Sequence, residues 1–305
     1  MPLRLKMIMQ VKVKKLKKYY GQKCVVDDVS FDFKSGEIFC LIGRNGSGKT
    51  TTIRMMLGTL SKDSGSVEIG NLKSKDILKN IGYLSEERGM FVKDKIIDQL
   101  VYFAMLKGMK KNDAITSAEK WMDKLGILDR KNDKLESLSK GNQQKVQMIS
   151  SLIHDPKIIV FDEPFSGLDP VNTKWLLDLL VELKKQNKCI LVSSHQLNLI
   201  EDICDKIAII SYSKLVYFGT LSNLKKERGG TKLFVTFPDY VKEKDIMQLA
   251  YLKKVSDMEY EVDLSEQVTF KKIITDIMDK KLDISSVQMK EVSLNEIFIK
   301  WEESL

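Results

Sequence analysis

The chain has no apolar run approaching the roughly 20 residues that a bilayer-spanning helix needs, and that absence excludes an integral membrane reading of its 305 residues. Its start, Met1 to Gln10, carries charges but no continuous apolar core, so it does not read as a secretory signal. The four cysteines (Cys24, Cys40, Cys189, Cys204) show no C-x-x-C spacing. Two of them lie inside apolar, strand-like runs, which predicts buried reduced thiols and a cytoplasmic setting. Sustained heptads are missing, and histidine is scarce, with only His154 and His195 present. What is there is ordinary for a globular protein: 43% hydrophobic residues and a length that allows two domains. The net charge of +8 raises the question of nucleic acid or an anionic membrane face. Most basic residues are interspersed with acids, however, and the densest basic patch, Val11 to Lys18, partly alternates apolar and basic residues. That pattern predicts a strand with one solvated face, and it leaves weak attraction to a membrane surface open.

The most informative stretch is Gly43-Arg44-Asn45-Gly46-Ser47-Gly48-Lys49-Thr50, which fits G-x-x-x-x-G-K-[ST]. Before it, Ile38-Phe39-Cys40-Leu41-Ile42 is an unbroken apolar run, the pattern of a buried parallel strand. After it, Thr51 to Leu60 sets Ile53, Met56, Leu57 and Leu60 at helical spacing. Glycines let consecutive backbone N–H groups turn onto phosphate oxygens, and the following helix aims its positive end at the same anion. Lys49 would reach the β- and γ-phosphates, and the Thr50 hydroxyl would ligate Mg²⁺. The loop from Gly43 through Thr51 is therefore the candidate nucleotide-binding segment, with a nucleoside triphosphate and Mg²⁺ as the expected ligands.

Further signals follow in order. Ile158-Ile159-Val160-Phe161-Asp162-Glu163, before Pro164, is a second buried strand that ends in two carboxylates. Alternation along a strand would send them to opposite faces, with Asp162 in the Mg²⁺ shell and Glu163 accepting the proton of the attacking water. Leu138-Ser139-Lys140-Gly141-Asn142 precedes a helical pattern at Val146, Ile149, Leu152 and Ile153, so Ser139 is placed either to cap that helix or to form a second anion site. Downstream, Ser166-Gly167-Leu168-Asp169 is followed by Cys189 to Ser194, an apolar strand ending at His195. His154, before Asp155-Pro156, reads as a loop residue.

Together these segments resemble the nucleotide-binding subunit of an ATP-binding cassette transporter, over roughly residues 10 to 218. Gly43 to Thr50 looks like Walker A, Leu138 to Asn142 the signature, and Ile158 to Glu163 Walker B. Ser166 to Asp169 looks like the D-loop, His195 the switch histidine, and Tyr20 the aromatic that stacks on adenine. The resemblance implies an α/β P-loop NTPase core with a parallel sheet, an antiparallel β subdomain and a helical subdomain at about 87–140. It implies ATP hydrolysis with Glu163 and His195 as catalytic residues, and Thr50, Glu86 and Asp162 at the metal. It also implies two copies facing head to tail, as homodimer or cassette heterodimer, with Ser139, Lys140, Gly141 and Asn142 completing the partner's ATP site and Asp169 linking the two. A separate multi-span permease would be the membrane partner, and the chain would lie peripherally on the inner face of the membrane.

Two places depart from the usual family pattern. Glu86 follows Ile81-Gly82-Tyr83-Leu84-Ser85 where glutamine is usual, and Lys140 and Asn142 replace a glycine and a glutamine. Both departures resemble a bacterial export branch that includes sodium-export and drug-export types. The same resemblance suggests that Arg88, Met90 and Phe91 help line the groove for a short permease helix. From 219 to 305 a small α+β domain of split-βαβ type is expected: a linker at Lys225 to Gly230, strands at Lys232 to Phe237, Glu259 to Leu264 and Ile284 to Met289, and helices at Lys242 to Leu252, Phe270 to Met278 and Ser293 to Trp301. The expected function is thus an ATPase subunit driving an exporter. The rival of another class is a soluble cassette ATPase acting on nucleic acid or ribosomes. Such proteins resemble two fused cassettes or carry long coiled coils, neither of which occurs here, so no nucleic acid partner is expected. A nucleotide-gated regulatory subunit with little turnover is also compatible with the altered signature.

Overall fold

Alternation after Gln10 produces the first strand. The computed structural model describes residues 9–70, 72, 74–87, 89–265 and 267–303, in two compact units, the first ending at Thr220 and the second beginning at Leu221. Strand β1 (Gln10–Tyr20) buries Val11, Val13 and Leu16 and pairs antiparallel with β2 (Lys23–Lys34). Strand β3 (Ile38–Ile42), buried at every position, leads through the glycine loop into α1 (Lys49–Met56). Then come β4 (Ser64–Ile69), α2 (Ser74–Asn80), β5 (Ile81–Leu84), α3 (Ile96–Leu106), α4 (Lys111–Lys124) and α5 (Lys140–Leu152). The unit closes with β6 (Ile158–Asp162), α6 (Pro170–Lys185), β7 (Cys189–Ser194), the single turn α7 (Leu197–Ile200), β8 (Lys206–Ser211) and β9 (Lys214–Thr220).

Nine strands share one mixed sheet in the order β4-β1-β2-β9-β8-β3-β7-β6-β5. From β8 to β5 the ladders are parallel, while β1, β2 and β4 pair antiparallel. Parallel strands are covered on both faces, which is why these segments read as unbroken apolar runs. Their register is what builds the site. Ile42 pairs with Ser194, Asp162 with Ser193 and Leu84 with Phe161, so four loops leave the sheet along one edge.

Three stacked or tilted rings, Phe31, Phe33 and Phe39, anchor the core between the β1–β2 arm and β3. Helix α1 is shorter than its spacing suggests: Leu57 caps it, Gly58 takes φ 73°, and Leu60 lies past its end, packed on the same core. Helices α3, α4 and α5 enclose a separate core of Ile96, Leu100, Ala114, Ala118, Met122, Val146 and Ile149. Leu106, at the end of α3, is exposed.

In the second unit, Lys225 to Gly230 is not simply a linker. Helix α8 (Leu221–Arg228) runs through most of it, held by buried Leu221 and Leu224. There follow β10 (Thr231–Thr236), α9 (Glu243–Ile246), β11 (Lys253–Lys254), β12 (Glu259–Asp263), α10 (Phe270–Asp279), β13 (Ser286–Glu291) and α11 (Leu294–Glu303). The helix expected over Lys242 to Leu252 contracts to one turn, and the short β11 is an addition. The antiparallel order β11-β12-β10-β13 is the split-βαβ arrangement. Ser293 and Glu296 form a reciprocal capping box, Glu296 N–H to Ser293 Oγ at 3.2 Å and Ser293 N–H to Glu296 Oε2 at 3.0 Å.

Buried Lys232 lies 2.9 Å from Glu261 Oε2 and 2.6 Å from Glu296 Oε1. Burial alone would raise the Glu296 carboxyl, but Lys232 and Ser293 outweigh it and hold its pKa at about 2. That lies below the ordinary 4.5, so the stabilisation is complete above pH 4.5 and is lost as pH falls toward 2. Protection of the α11 amides, relative to their intrinsic exchange rates, should therefore fall across that window, and Glu296→Gln should flatten the pH dependence. An equally steep acid response in E296Q would contradict this.

Candidate functional site

The glycine loop is shaped by the backbone around it. Gly48 adopts φ 109° at the start of α1, and a Cβ there would lie 2.5 Å from Val25 O. A Cβ on Gly43 would lie 2.3 Å from Ile210 O. Neither position admits a side chain. The β1–β2 hairpin that supplies Val25 also carries Tyr20, which is 54% exposed with Lys18 Nζ 5.9 Å from its ring centroid. Arg44, Asn45 and Gly46 are exposed, and Thr51 is half-buried in the first turn of α1. Ser47 Oγ is buried without a hydrogen-bond partner. Lys49 Nζ donates to Gly43 O at 2.8 Å and Arg44 O at 3.3 Å, folding back over the loop that begins its own helix.

Lys49 also reaches across the sheet edge. Its Nζ is 3.1 Å from Glu163 Oε1, and both side chains are 5% exposed. The other oxygen, Glu163 Oε2, lies 2.8 Å from His195 Nδ1 and accepts the His195 backbone N–H at 3.3 Å. One buried carboxylate thus joins the end of the β6 segment, the start of α1 and the end of the β7 segment. Glu163 has φ 50°, in the left-handed region. The two carboxylates are therefore separated by a backbone kink after β6, not by simple strand alternation.

Asp162 occupies the last position of β6 and is buried. Burial pushes its carboxyl above the usual range, and hydrogen bonds from the Ser193 and Thr50 hydroxyls partly offset that. Its Oδ2 has no hydrogen-bond partner. Thr50, Asp162 and Glu86 are hard oxygen donors of the kind Mg²⁺ prefers, and an orphaned buried carboxylate oxygen fits a cation there.

Beside these residues lies a cleft of about 300 Å³ whose lining includes Glu86, Lys140, Gln144, Asp162, Glu163 and Ser166. Two of the three departing residues, Glu86 and Lys140, share that cleft. Helix α5 holds its walls: Gln147 donates to Ser85 O at 3.3 Å and Glu87 O at 3.2 Å, and Gln144 donates to Pro164 O. Ser139 caps α5 by accepting the Asn142 N–H at 3.4 Å. Gly141 lies against Asn172 and Asp169, so a Cβ there would come within 2.8 Å of Asn172 Nδ2. Asp169 caps α6, and the Asn172 backbone and side chain hold its carboxyl below the usual range. Thus Walker-type residues Lys49, Thr50, Asp162, Glu163 and His195 converge, while the Ser139–Asn142 turn packs toward Asp169. His154 sits in the turn after α5, 3.2 Å from Ile81 O. Burial first, then the Lys107 charge, push its pKa down to about 4, so it is neutral. Arg88 falls outside the described residues. Sequence reasoning missed Ser193 and the Lys49–Glu163 contact; the one visible hint was a pair of serines interrupting an apolar strand just before histidine.

A family model described as ABC transporter matches residues 26–166, and one described as ATP-binding protein DrrA1-3-like, C-terminal domain, matches residues 219–301. An uncharacterized ABC transporter ATP-binding protein of Methanocaldococcus jannaschii is 46% identical over 215 residues, 70% of this chain and 79% of the relative. The bacitracin transport ATP-binding protein BcrA of Bacillus licheniformis is 30% identical across 95% of this chain and 96% of its own. The linearmycin resistance ATP-binding protein LnrL of Bacillus subtilis is 27% identical across 93% and 95%. A solved structure of an ATP binding subunit of an ABC transporter superposes with TM-score 0.66 at 28% identity, over 71% of this chain and 92% of that one.

Removing one member of a buried ion pair strands the other, typically at a cost of about 3–5 kcal/mol. Lys49→Ala should accordingly lower the unfolding free energy of the nucleotide-free chain, and adding Glu163→Gln should recover part of the loss. Denaturant unfolding of the two single variants and the double variant measures this coupling. Strictly additive effects would show that the contact carries no energy.

Proposed function

The chain belongs to the ATP-binding subunits of ABC transporters, and on that premise we propose that it binds MgATP as one half of a two-copy site and drives a separate export permease. The observation that carries this reading is the shared Glu163 carboxylate, ion-paired with Lys49 at one oxygen and hydrogen-bonded to His195 at the other. ATP arriving at the glycine loop offers Lys49 a stronger anion than Glu163. The ammonium turns to the β- and γ-phosphates, and Glu163 is freed to orient a water and accept its proton. His195, with Nδ1 already engaged by Glu163, presents Nε2 to the γ-phosphate. Backbone N–H groups from Gly46 to Thr51 cradle the phosphates, and Tyr20 stacks on the adenine. Thr50 and Asp162, with Glu86 nearby, would hold Mg²⁺, which would supply neutralisation of the phosphate charge.

The second half of the site comes from another copy, as homodimer or cassette heterodimer. Ser139 and the Gly141 backbone sit at an exposed helix N-terminus, suited to close on the partner's γ-phosphate, and Lys140 adds positive charge there. Asp169, directly behind Gly141, links the two halves. Export is favoured by the relatives named for bacitracin transport and linearmycin resistance. No helix among the described residues is long and apolar enough to cross a membrane; in this reading a separate permease supplies the path. The chain would then sit peripherally at the inner face of the membrane. A groove of about 260 Å³ with Met90, Phe103, Leu106 and Tyr83 in its walls is the proposed seat for a short permease helix. Phe91, stacked on Phe103 with centroids 6.0 Å apart, extends its rim.

Glu163→Gln should bind ATP, lose about 10²–10⁴ in turnover, and accumulate as an ATP-held dimer in size-exclusion chromatography. Wild-type turnover in that variant would overturn the assignment. Aspartate at Met90 and Phe91 should abolish co-purification with the permease while ATP binding persists; retained co-purification would remove that groove from the docking surface.

A further inference from the structure

Strand β7 is apolar from Cys189 to Val192, and Ser193 follows with 0% exposure. A hydroxyl buried so completely is costly unless it is bonded. Its bonds explain its presence. The β6–β7 register sets Ser193 directly beside Asp162, and neighbours in parallel register present their side chains to the same face. The hydroxyl donates to Asp162 Oδ1. The same oxygen accepts the Glu163 backbone N–H at 3.0 Å, in addition to the ladder bond from that N–H to Ser193 O at 3.2 Å. Its neighbour Ser194 is engaged elsewhere, accepting the Gln196 N–H at 2.9 Å.

We propose that Ser193 is a positioning residue that aims both carboxylates of the ATP site. By holding Asp162 Oδ1 it leaves Oδ2, the buried oxygen without a partner, facing the position of the metal. By holding the Glu163 N–H it fixes the point where the chain turns left-handed, and so directs that side chain between Lys49 and His195. A carbon-only side chain would fill the space and do neither. This inference rests on the roles of Asp162 and Glu163 proposed above. Ser193 acts through Asp162 and Glu163.

The test uses the full chain with Ser193→Ala, Ser193→Thr and Glu163→Gln. Two quantities are read: the Mg²⁺ dependence of equilibrium binding of a fluorescent ATP analogue, and kcat and KM for ATP at saturating Mg²⁺. A hydrogen bond to a charged group typically carries about a tenfold effect or more. Ser193→Ala should thus need roughly tenfold more Mg²⁺ and lose roughly tenfold in kcat, with KM for ATP changed by no more than about twofold. Ser193→Thr, which keeps the hydroxyl, should restore both. Should the alanine variant not fold, Ser193→Cys, with a weaker donor of similar size, should show an intermediate loss. Wild-type Mg²⁺ dependence and kcat in Ser193→Ala would overturn the proposal, as would a Ser193→Thr variant equally impaired at an unchanged melting temperature. If Glu163→Gln itself turned over normally, the reading of the whole site would fall, and this inference with it. Loss in Glu163→Gln beside full activity in Ser193→Ala would remove the inference alone.

Discussion

The site depends on one buried carboxylate that must never be left alone. Glu163 is 5% exposed, and an isolated charge at such a position would be far too costly to keep. Lys49 and His195 share it, one at each oxygen. In the proposed mechanism a bound triphosphate offers the ammonium a better anion, so that Glu163 is released by an exchange of partners.

The parallel sheet is what makes such an exchange possible. Register places the ends of β3, β5, β6 and β7 along one edge, so residues more than a hundred positions apart meet within hydrogen-bond distance. The antiparallel β1–β2 arm supports the glycine loop from the side, through Val25 against Gly48. Helix α5 ties the Glu86 loop and the Pro164 turn to the start of the Ser139 segment. Glu86 and Lys140, two of the three residues that depart from the usual pattern, line a single cleft with Asp162 and Glu163.

Much of this was legible in the residues because chemistry constrains them locally. A glycine loop between an apolar strand and an amphipathic helix has few other uses, and the unbroken apolar runs announced a parallel sheet. The split-βαβ tail was readable from alternation and from the Ser293–Glu296 capping spacing. Features set by tertiary contact were not. Nothing local says that Ser193 falls beside Asp162, because strand register is decided across the sheet. Glu163 at φ 50° contradicts the usual preference of a side-chain-bearing residue and is held only by its surroundings. Helix α8 was read as a linker because its basic, glycine-ended sequence hides an apolar face of two leucines. Lys242 to Leu252 had the composition of a longer helix, yet turns after Ile246 to bury Leu249 and Leu252 in the sheet's core.

The central claim is that each ATP is enclosed by Lys49 of one copy and Ser139 of another. The most direct measurement mixes Lys49→Ala and Ser139→Ala chains, each inactive alone, and follows ATP hydrolysis. If the site is composite, a mixed dimer contains one site with both lesions and one with neither, and turnover should reappear on mixing. If each chain completes its own site, every site in the mixture carries a lesion and hydrolysis should stay absent, which would contradict the account.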